Sequence, residues 1–448
     1  MTGRRPVPPG QKPPGRKQAV RGRAGPPKAR PMEPGRGAPA AAAPRLAEVA
    51  RALEDGRDEG VAPGLAAAIR AGGRLVHLSA VGDAQVEPER RVLGAADLFD
   101  VASLTKPLAT ATLAAILAAE GRLGLDEPVA NRLPAFGDGA GARAAGGGGP
   151  ASGTSGPAAG ARGRVTVRHL LCHSSGLPGW RPYFERAAAD PVGRLAFLPP
   201  AERPGDLDAA FARGRELLRD AVLSEPLEAE PGARALYSDP GFLLLGWVVE
   251  EAGGAPLDRL FAERVARPLG LADAAFVRGQ AAAGPAGAPY VATERCEHRH
   301  EVNRGAVNDD NAWALGGVAG HAGLFASAGA VAALGQAWLD ALEGRGGGLL
   351  DPRVAAAFAR VQGPAGTTRA LGWDTPSREG SSLGRRLGRG PRGALGHLGF
   401  TGTSLWIDRD AGVVVALLTN RVHPTRESER IRDFRPRFHD AVAGALGI

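Results

Sequence analysis

Residues 103–123 read SLTKPLATATLAAILAAEGRL. Apolar side chains recur at helical spacing from Leu108 onward, so the spacing predicts a buried helix that Ser103 enters at its N-terminal end. Pro107 fits a first helical turn, where backbone N–H groups lack intrahelical partners. Positions i and i+3 share a helix face, which brings the Lys106 amine close to the Ser103 hydroxyl. The chain has only four lysines, and Lys106 is the single one beyond Lys28, in a chain that otherwise writes its positive charge as arginine. A guanidinium stays charged in any protein setting, whereas an ammonium can give up its proton. A lone lysine three residues after a serine therefore points to proton transfer at that serine.

The tetrapeptide alone is a weak signal, since a chain with fourteen serines produces it by chance often enough that partners are needed. A serine hydroxyl becomes a good nucleophile only when a neighbouring group takes its proton. The chain has three tyrosines. One of them, Tyr237, lies in PGARALYSDPGFLLLGWVVEE (231–251), at a turn before an apolar helix and beside Ser238 and Asp239. Turns at helix mouths often display site residues, although a Ser-Asp pair there also caps helices. A third stretch, GHLGFTGTSLWID (396–408), places His397 and Gly399 just ahead of a strand at Ser404–Asp408. Glycine at such a place lets a backbone approach a ligand closely.

Composition bounds the rest. At 448 residues and 44% hydrophobic residues the chain is long enough for one large or two to three ordinary domains. The net charge of +8 is concentrated in residues 1–45, which hold eleven basic residues against Glu33 alone, leaving 44 basic and 46 acidic residues elsewhere. This Pro/Gly-rich leader carries no apolar run of the kind a signal peptide needs, and it is expected to be disordered. The near-neutral body argues against nucleic acid as a partner, with weak attachment through the tail as the remaining route. No uninterrupted apolar stretch reaches the roughly 20 residues of a membrane span. Two cysteines, Cys172 and Cys296, do not make a disulfide framework. A cytoplasmic enzyme acting on a small-molecule substrate is the expectation; the oligomeric state stays open.

Outward from residue 103, PRLAEVARALEDGRDEG (44–60) reads as a helix, and GLAAAIRAGGRLVHLSAVG (64–82) as two strands joined at Gly72-Gly73. TSLWIDRDAGVVVALLTNR (403–421) gives a second strand pair, and RESERIRDFRPRFHDAVAGAL (426–446) a closing helix. The segments between, at 107–121, 165–176, 241–254, 256–270 and 328–344, are helical and end on glycine. Residues 137–163 have no periodicity and read as a flexible loop. The predicted fold is α+β: an antiparallel sheet flanked by N- and C-terminal helices, with an inserted all-helical subdomain. Its parts are a leader at 1–45 and a domain at 46–448, divided into a sheet subdomain (46–98 and about 390–448) and a mainly helical one (about 99–389).

Taken in order, Ser103-Leu-Thr-Lys106, Tyr237-Ser-Asp239 and His397-Leu-Gly399 resemble the serine β-lactamase and penicillin-recognising enzymes, in the branch of class C β-lactamases, carboxylesterases and D,D-peptidases. Text at 126–136, 165–180 and 313–328 is similar to that family as well. The resemblance implies Ser103 as the acylated nucleophile and Lys106 and Tyr237 as sharers of the acid and base work. His397 would steer Tyr237 and bind substrate together with Gly399, and the amides of Ser103 and Phe400 would form the oxyanion hole. Asp239 departs from the family's usual asparagine. A carboxylate there should favour a charged Lys106 and shift the burden to Tyr237, held towards its anion by Lys106 and a protonated His397. Leu398 departs from a small polar residue, which removes a hydroxyl that could hold a substrate carboxylate.

Other candidates carry less. His321, in GGVAGHAGLF (316–325), is a candidate for the pocket lining. Asp309, Asp310 and Asn311 fit a helix cap. Cys296, His298 and His300 match no zinc spacing, so neither a metal nor a cofactor is expected. The function expected is hydrolysis of a small ester or amide through an acyl-enzyme. β-Lactamase or D-alanyl peptidase chemistry on the same site is one alternative, and a binding or sensor protein that does not turn over is another.

Overall fold

The computed structural model describes residues 2–3, 43–137, 160–345 and 347–448. Most of the basic leader and most of the expected loop at 137–163 lie outside the described residues. From Ala43 onward the architecture is built on a six-stranded antiparallel sheet. Its strand order is Arg91–Val92, Arg74–Gln85, Gly64–Ala71, Val413–Thr419, Ser404–Asp408, Ala394–Leu398. The two ends of the domain therefore meet at its centre, where Leu65 lies opposite Thr419 and Ala71 opposite Val413.

Both faces of this sheet are covered. Successive side chains of a strand point to opposite faces. Leu65, Ala67 and Ile69, with Val413, Val415 and Leu417, meet Leu46, Val49 and Leu53 of the N-terminal helix Ala43–Asp58 and Phe434, Phe438 and Val442 of the C-terminal helix Ile431–Leu446. Ala66 and Ala68, with Val414, Ala416 and Leu418, join the larger core of the inserted region, which includes Val331, Leu334 and Trp338 of the helix Ala328–Leu342. Burial on both faces is why these strands read as continuous apolar runs rather than as strict alternation.

The inserted region is not all helical. Phe99–Asp100, Leu324–Ala326 and Ala274–Phe276 form a three-stranded sheet, and Arg295–Cys296 pairs with Glu301–Val302. Strands of two or three residues are too short for a period-2 pattern to register in sequence. The three-stranded sheet matters for the site, because Asp100 ends one of its strands and Ser103 follows three residues later.

The segment Ala102–Ala119 has the length and hydropathy of a membrane span, but 83% of it is buried within the protein. It serves as a core helix. Its first part, Lys106–Ala111, is a π-turn continuing into the α-helix Thr112–Ala119, and all six of those π-turn residues are buried.

Candidate active site

Ser103 sits in a 3₁₀ turn, Ala102–Leu104, between the short strand and the π-turn. Ala102 before it has φ +49°, a left-handed conformation uncommon for a residue with a side chain. Ser103 is thereby placed on the wall of a cavity of about 660 Å³, shared with Tyr237, Asp239, His321, His397, Gly399 and Phe400. The three stretches singled out in sequence thus converge on one cavity although they lie as far apart as residues 103 and 399.

Lys106 is wholly buried, and three acceptors surround its Nζ. It donates to Ser103 Oγ at 3.0 Å and to the His321 carbonyl at 3.2 Å, and Asp239 Oδ1 lies 2.7 Å away. Burial works against its charge, but the Asp239 carboxylate and the Tyr237 phenol outweigh it and hold the lysine pKa above its ordinary value. The ammonium therefore offers a proton to Ser103 instead of taking one. Asp239 is placed for this by opening the helix Asp239–Gly253, whose N-cap is Ser238; the Ser238 hydroxyl accepts from the Gly241 N–H at 3.0 Å and donates to the Pro178 carbonyl at 2.7 Å.

Tyr237 stands between two imidazoles, with ring centroids 4.6 Å from His173 and 5.9 Å from His397. Lys106 Nζ lies 4.7 Å from its ring centroid, and the Arg369 guanidinium 5.4 Å. Burial raises the phenol pKa, and hydrogen bonding to Lys106 and Ser103 opposes that rise without cancelling it. The phenol is thus held neutral and not towards the anion expected, because desolvation of the phenolate, with the Asp239 charge, outweighs the charge of Lys106.

His397 also departs from expectation. It is buried, and its Nδ1 donates to the Leu398 carbonyl at 2.8 Å, so the imidazole carries its proton there and Nε2 is left with a lone pair and no partner among the described residues. Burial, together with the charges of Lys106 and Arg369, pushes its pKa down to about 3. A protonated His397 is thus excluded near neutrality, and the second cation facing Tyr237 is Arg369. Nothing local in the sequence marks Arg369 among some fifty arginines.

Gly399 and Phe400, expected at an oxyanion site, line the same cavity as Ser103. Gly399 and Phe400 belong to a turn closed by Gly399 N–H to the Thr403 carbonyl at 2.8 Å and Gly402 N–H to the Gly399 carbonyl at 3.0 Å. Hydroxyls of Thr401 and Thr403 tie this turn to the carbonyls of Asp100 and Val101, at 2.9 and 3.0 Å, just ahead of Ser103. The Phe400 N–H has no acceptor among the described residues. A free backbone donor beside a serine hydroxyl has the chemistry to hold an oxyanion.

His321 lines the cavity and bonds through Nε2 to Asp309 Oδ1 at 2.9 Å. Asp309 caps the short helix Asp310–Ala314 as expected, accepting from the Ala312 N–H at 2.7 Å. Burial opposes its charge, but His321 and that N–H hold its pKa down to about 2. Asp310 pairs with the buried Arg299 at 3.1 Å, whose Nε also reaches Cys296 Sγ at 3.4 Å, and His298 packs at a tilt against Phe184, with ring centroids 4.8 Å apart. Cys172 and Cys296 are both buried free thiols. Apolar surface at the cavity comes from Trp180, Leu398 and Phe400, all substantially exposed.

A lysine bonded to a serine on a cavity wall, with a tyrosine and a free backbone N–H beside them, defines a serine hydrolase. The family model described as Beta-lactamase matches residues 49–436, and the chain belongs to that family. It is 28% identical over 340 residues to a putative D-alanyl-D-alanine carboxypeptidase of Escherichia coli (strain K12), covering 73% of this chain and 69% of the relative. It is 31% identical over 343 residues to an N-acetylmuramyl-L-alanine amidase of Bacillus subtilis (strain 168), covering 73% and 68%. Among solved structures, EstCE1, a hydrolase with promiscuous acyltransferase activity, superposes with a TM-score of 0.58 at 25% identity, covering 88% of this chain and 99% of that one.

Proposed function

We propose that this serine hydrolase cleaves a small ester or amide with an apolar acyl group, and that Ser103 carries the acyl-enzyme. The observation that supports it most is the 3.0 Å contact between Lys106 Nζ and Ser103 Oγ at the cavity wall. Ser103 Oγ attacks the substrate carbonyl while its proton passes to the Lys106–Tyr237 pair. The Ser103 and Phe400 N–H groups hold the resulting oxyanion. The leaving alcohol or amine takes the proton from the pair, and water repeats the sequence on the acyl-enzyme, releasing the acid. With Lys106 charged and Tyr237 neutral at rest, the pair must lose one proton before it can accept another, so activity rises towards alkaline pH.

The exposed Leu398, Phe400 and Trp180 favour an apolar acyl group. The names of the carboxypeptidase and amidase relatives favour a second reading, cleavage of D-alanyl or muramyl peptides, or of β-lactams, by the same residues. Intact-mass measurement after a fluorophosphonate, with p-nitrophenyl esters and a D-alanyl dipeptide as substrates, tests both. A single adduct mapped to Ser103 with ester turnover supports the proposal; no adduct, or an adduct that persists in Ser103→Ala, overturns it. Turnover of the dipeptide alone would select the second reading.

A further inference from the structure

Asp100 is a buried carboxylate that the acyl-transfer steps leave unused, and it is only 1% exposed. Its Oδ1 accepts from the Ala102 N–H at 2.8 Å and its Oδ2 from the Asn308 N–H at 2.6 Å. No basic side chain forms an ion pair with it among the described residues. The two backbone donors are what hold the charge, and one of them belongs to the residue whose left-handed φ of +49° turns the chain into Ser103. Asp100 also anchors the opposite side of the oxyanion site, since its own carbonyl accepts from the Thr401 hydroxyl.

Resting on the reading of Ser103 as nucleophile, we propose that ionised Asp100 is a positioning residue: by accepting the Ala102 N–H it fixes the strained turn that aims the Ser103 hydroxyl and amide into the cavity, and its protonation sets the acid limb of activity.

The surroundings favour that titration. Burial pushes the Asp100 carboxyl up to about 6 and Asp309 adds to the rise, while the Asn308 and Ala102 N–H groups and the Arg299 charge pull it back. The turn Gly399–Thr403 and the strand Leu324–Ala326 face it with hydroxyls, backbone and apolar groups only. His321, Asp239, Asp310, Asp374 and Glu429 also line the cavity, so it is loss of the midpoint in Asp100→Asn that assigns this limb to Asp100. His397 is already neutral there, Asp309 stays ionised, and Lys106 and Tyr237 are raised, so they govern the alkaline side. When Asp100 takes a proton, both N–H groups lose a charged acceptor, and one of them is left facing a hydroxyl oxygen, a poor acceptor. The turn at Ala102 is then free to relax away from positive φ.

The test is the rate of fluorophosphonate labelling of Ser103 against pH, separated into reagent binding and the bond-forming step. In the parent chain, the bond-forming step should fall with a midpoint near pH 6, the Asp100 value, with binding unchanged. Asp100→Asn presents one acceptor and one donor to two N–H groups. It should slow the bond-forming step at pH 8 by about ten- to a hundredfold, as displaced reacting groups do, and abolish that midpoint. Adding Ala102→Gly should recover most of the loss, because glycine takes φ near +50° without a side-chain penalty. A parent midpoint retained in Asp100→Asn, or no recovery in the double variant, overturns the proposal. If Asp100→Asn fails to fold, Ala102→Gly alone decides: a weakened acid limb supports the role, and an unchanged one removes it. A parent chain that takes no adduct at pH 8 would instead sink the Ser103 reading, and with it this inference.

Discussion

Lys106 Nζ and Asp239 Oδ1 lie 2.7 Å apart, with the lysine side chain wholly buried and the carboxylate 17% exposed. This ion pair stands where the resemblance led one to expect a neutral amide, and it decides the resting protonation of the site. Removing the carboxylate removes a charge that raises the pKa of both Lys106 and Tyr237.

Asp239→Asn should therefore move the alkaline rise of kcat/KM for p-nitrophenyl esters to lower pH, whichever member of the pair accepts the proton. The same variant should melt at a lower temperature than the parent, since a buried ammonium loses its partner. A pH profile superimposable on the parent's would show that the ion pair does not control the pair's titration.

Tyr237→Phe separates the two members. The ring and its packing on His173 are kept, so Tm should change little while kcat falls by about a hundredfold or more, the scale on which general acid–base groups act. Activity within about threefold of the parent would make Lys106 alone the proton carrier.

The sequence made the three motif stretches legible for a local reason. Ser103 and Lys106 are one helical turn apart, Tyr237 and Asp239 meet at a helix cap, and His397 and Gly399 share the end of a strand. The central strands were readable from their apolar runs and from the turns at Gly72-Gly73 and Asp410-Ala411-Gly412. Protonation states were not readable, because the neutrality of His397 and the raised phenol depend on burial contributed by chain far away. Arg369 reaches the site from a segment with little regular structure, so no periodicity pointed to it. Asp100 did leave a signal, an acid three residues before Ser103, but its meaning appears only once the turn at Ala102 is seen.

Stability should fall steeply with acid. Burial keeps His397 neutral down to about pH 3 and His439 to about 4, and it holds His173 well below its ordinary value. Below about pH 6.5 the unfolded chain binds protons that the folded one resists at these imidazoles and, by the same burial, at His77, His169 and His423. Asp100 acts in the opposite sense, because its raised pKa lets the folded state bind a proton that the unfolded state does not between about pH 6 and 4. The lowered imidazoles outnumber Asp100, so the unfolding free energy falls as pH falls through that range. Urea midpoints at pH 7.5, 5.5 and 4.5 check this, and a midpoint that stays flat from pH 7.5 to 4.5 would contradict the burial of neutral imidazoles.

Gly399→Ala tests the oxyanion turn without touching a titratable group. A Cβ at this position would lie 2.0 Å from Thr403 Oγ1 and 2.6 Å from the Val101 carbonyl oxygen. Those two atoms are bonded to each other at 3.0 Å, so the methyl would drive apart the link between the turn and the segment leading to Ser103. The Phe400 N–H must move with the turn. Loss of one oxyanion donor costs about a hundred- to a thousandfold in kcat, and because charge develops on that oxygen only as the bond forms, KM should change far less than kcat. The pH profile should keep its shape, since Lys106, Tyr237 and Asp239 stay in place. A variant that loses substrate binding while keeping kcat would place the Phe400 N–H on the ground-state substrate, and the assignment of the oxyanion site to this turn would fail.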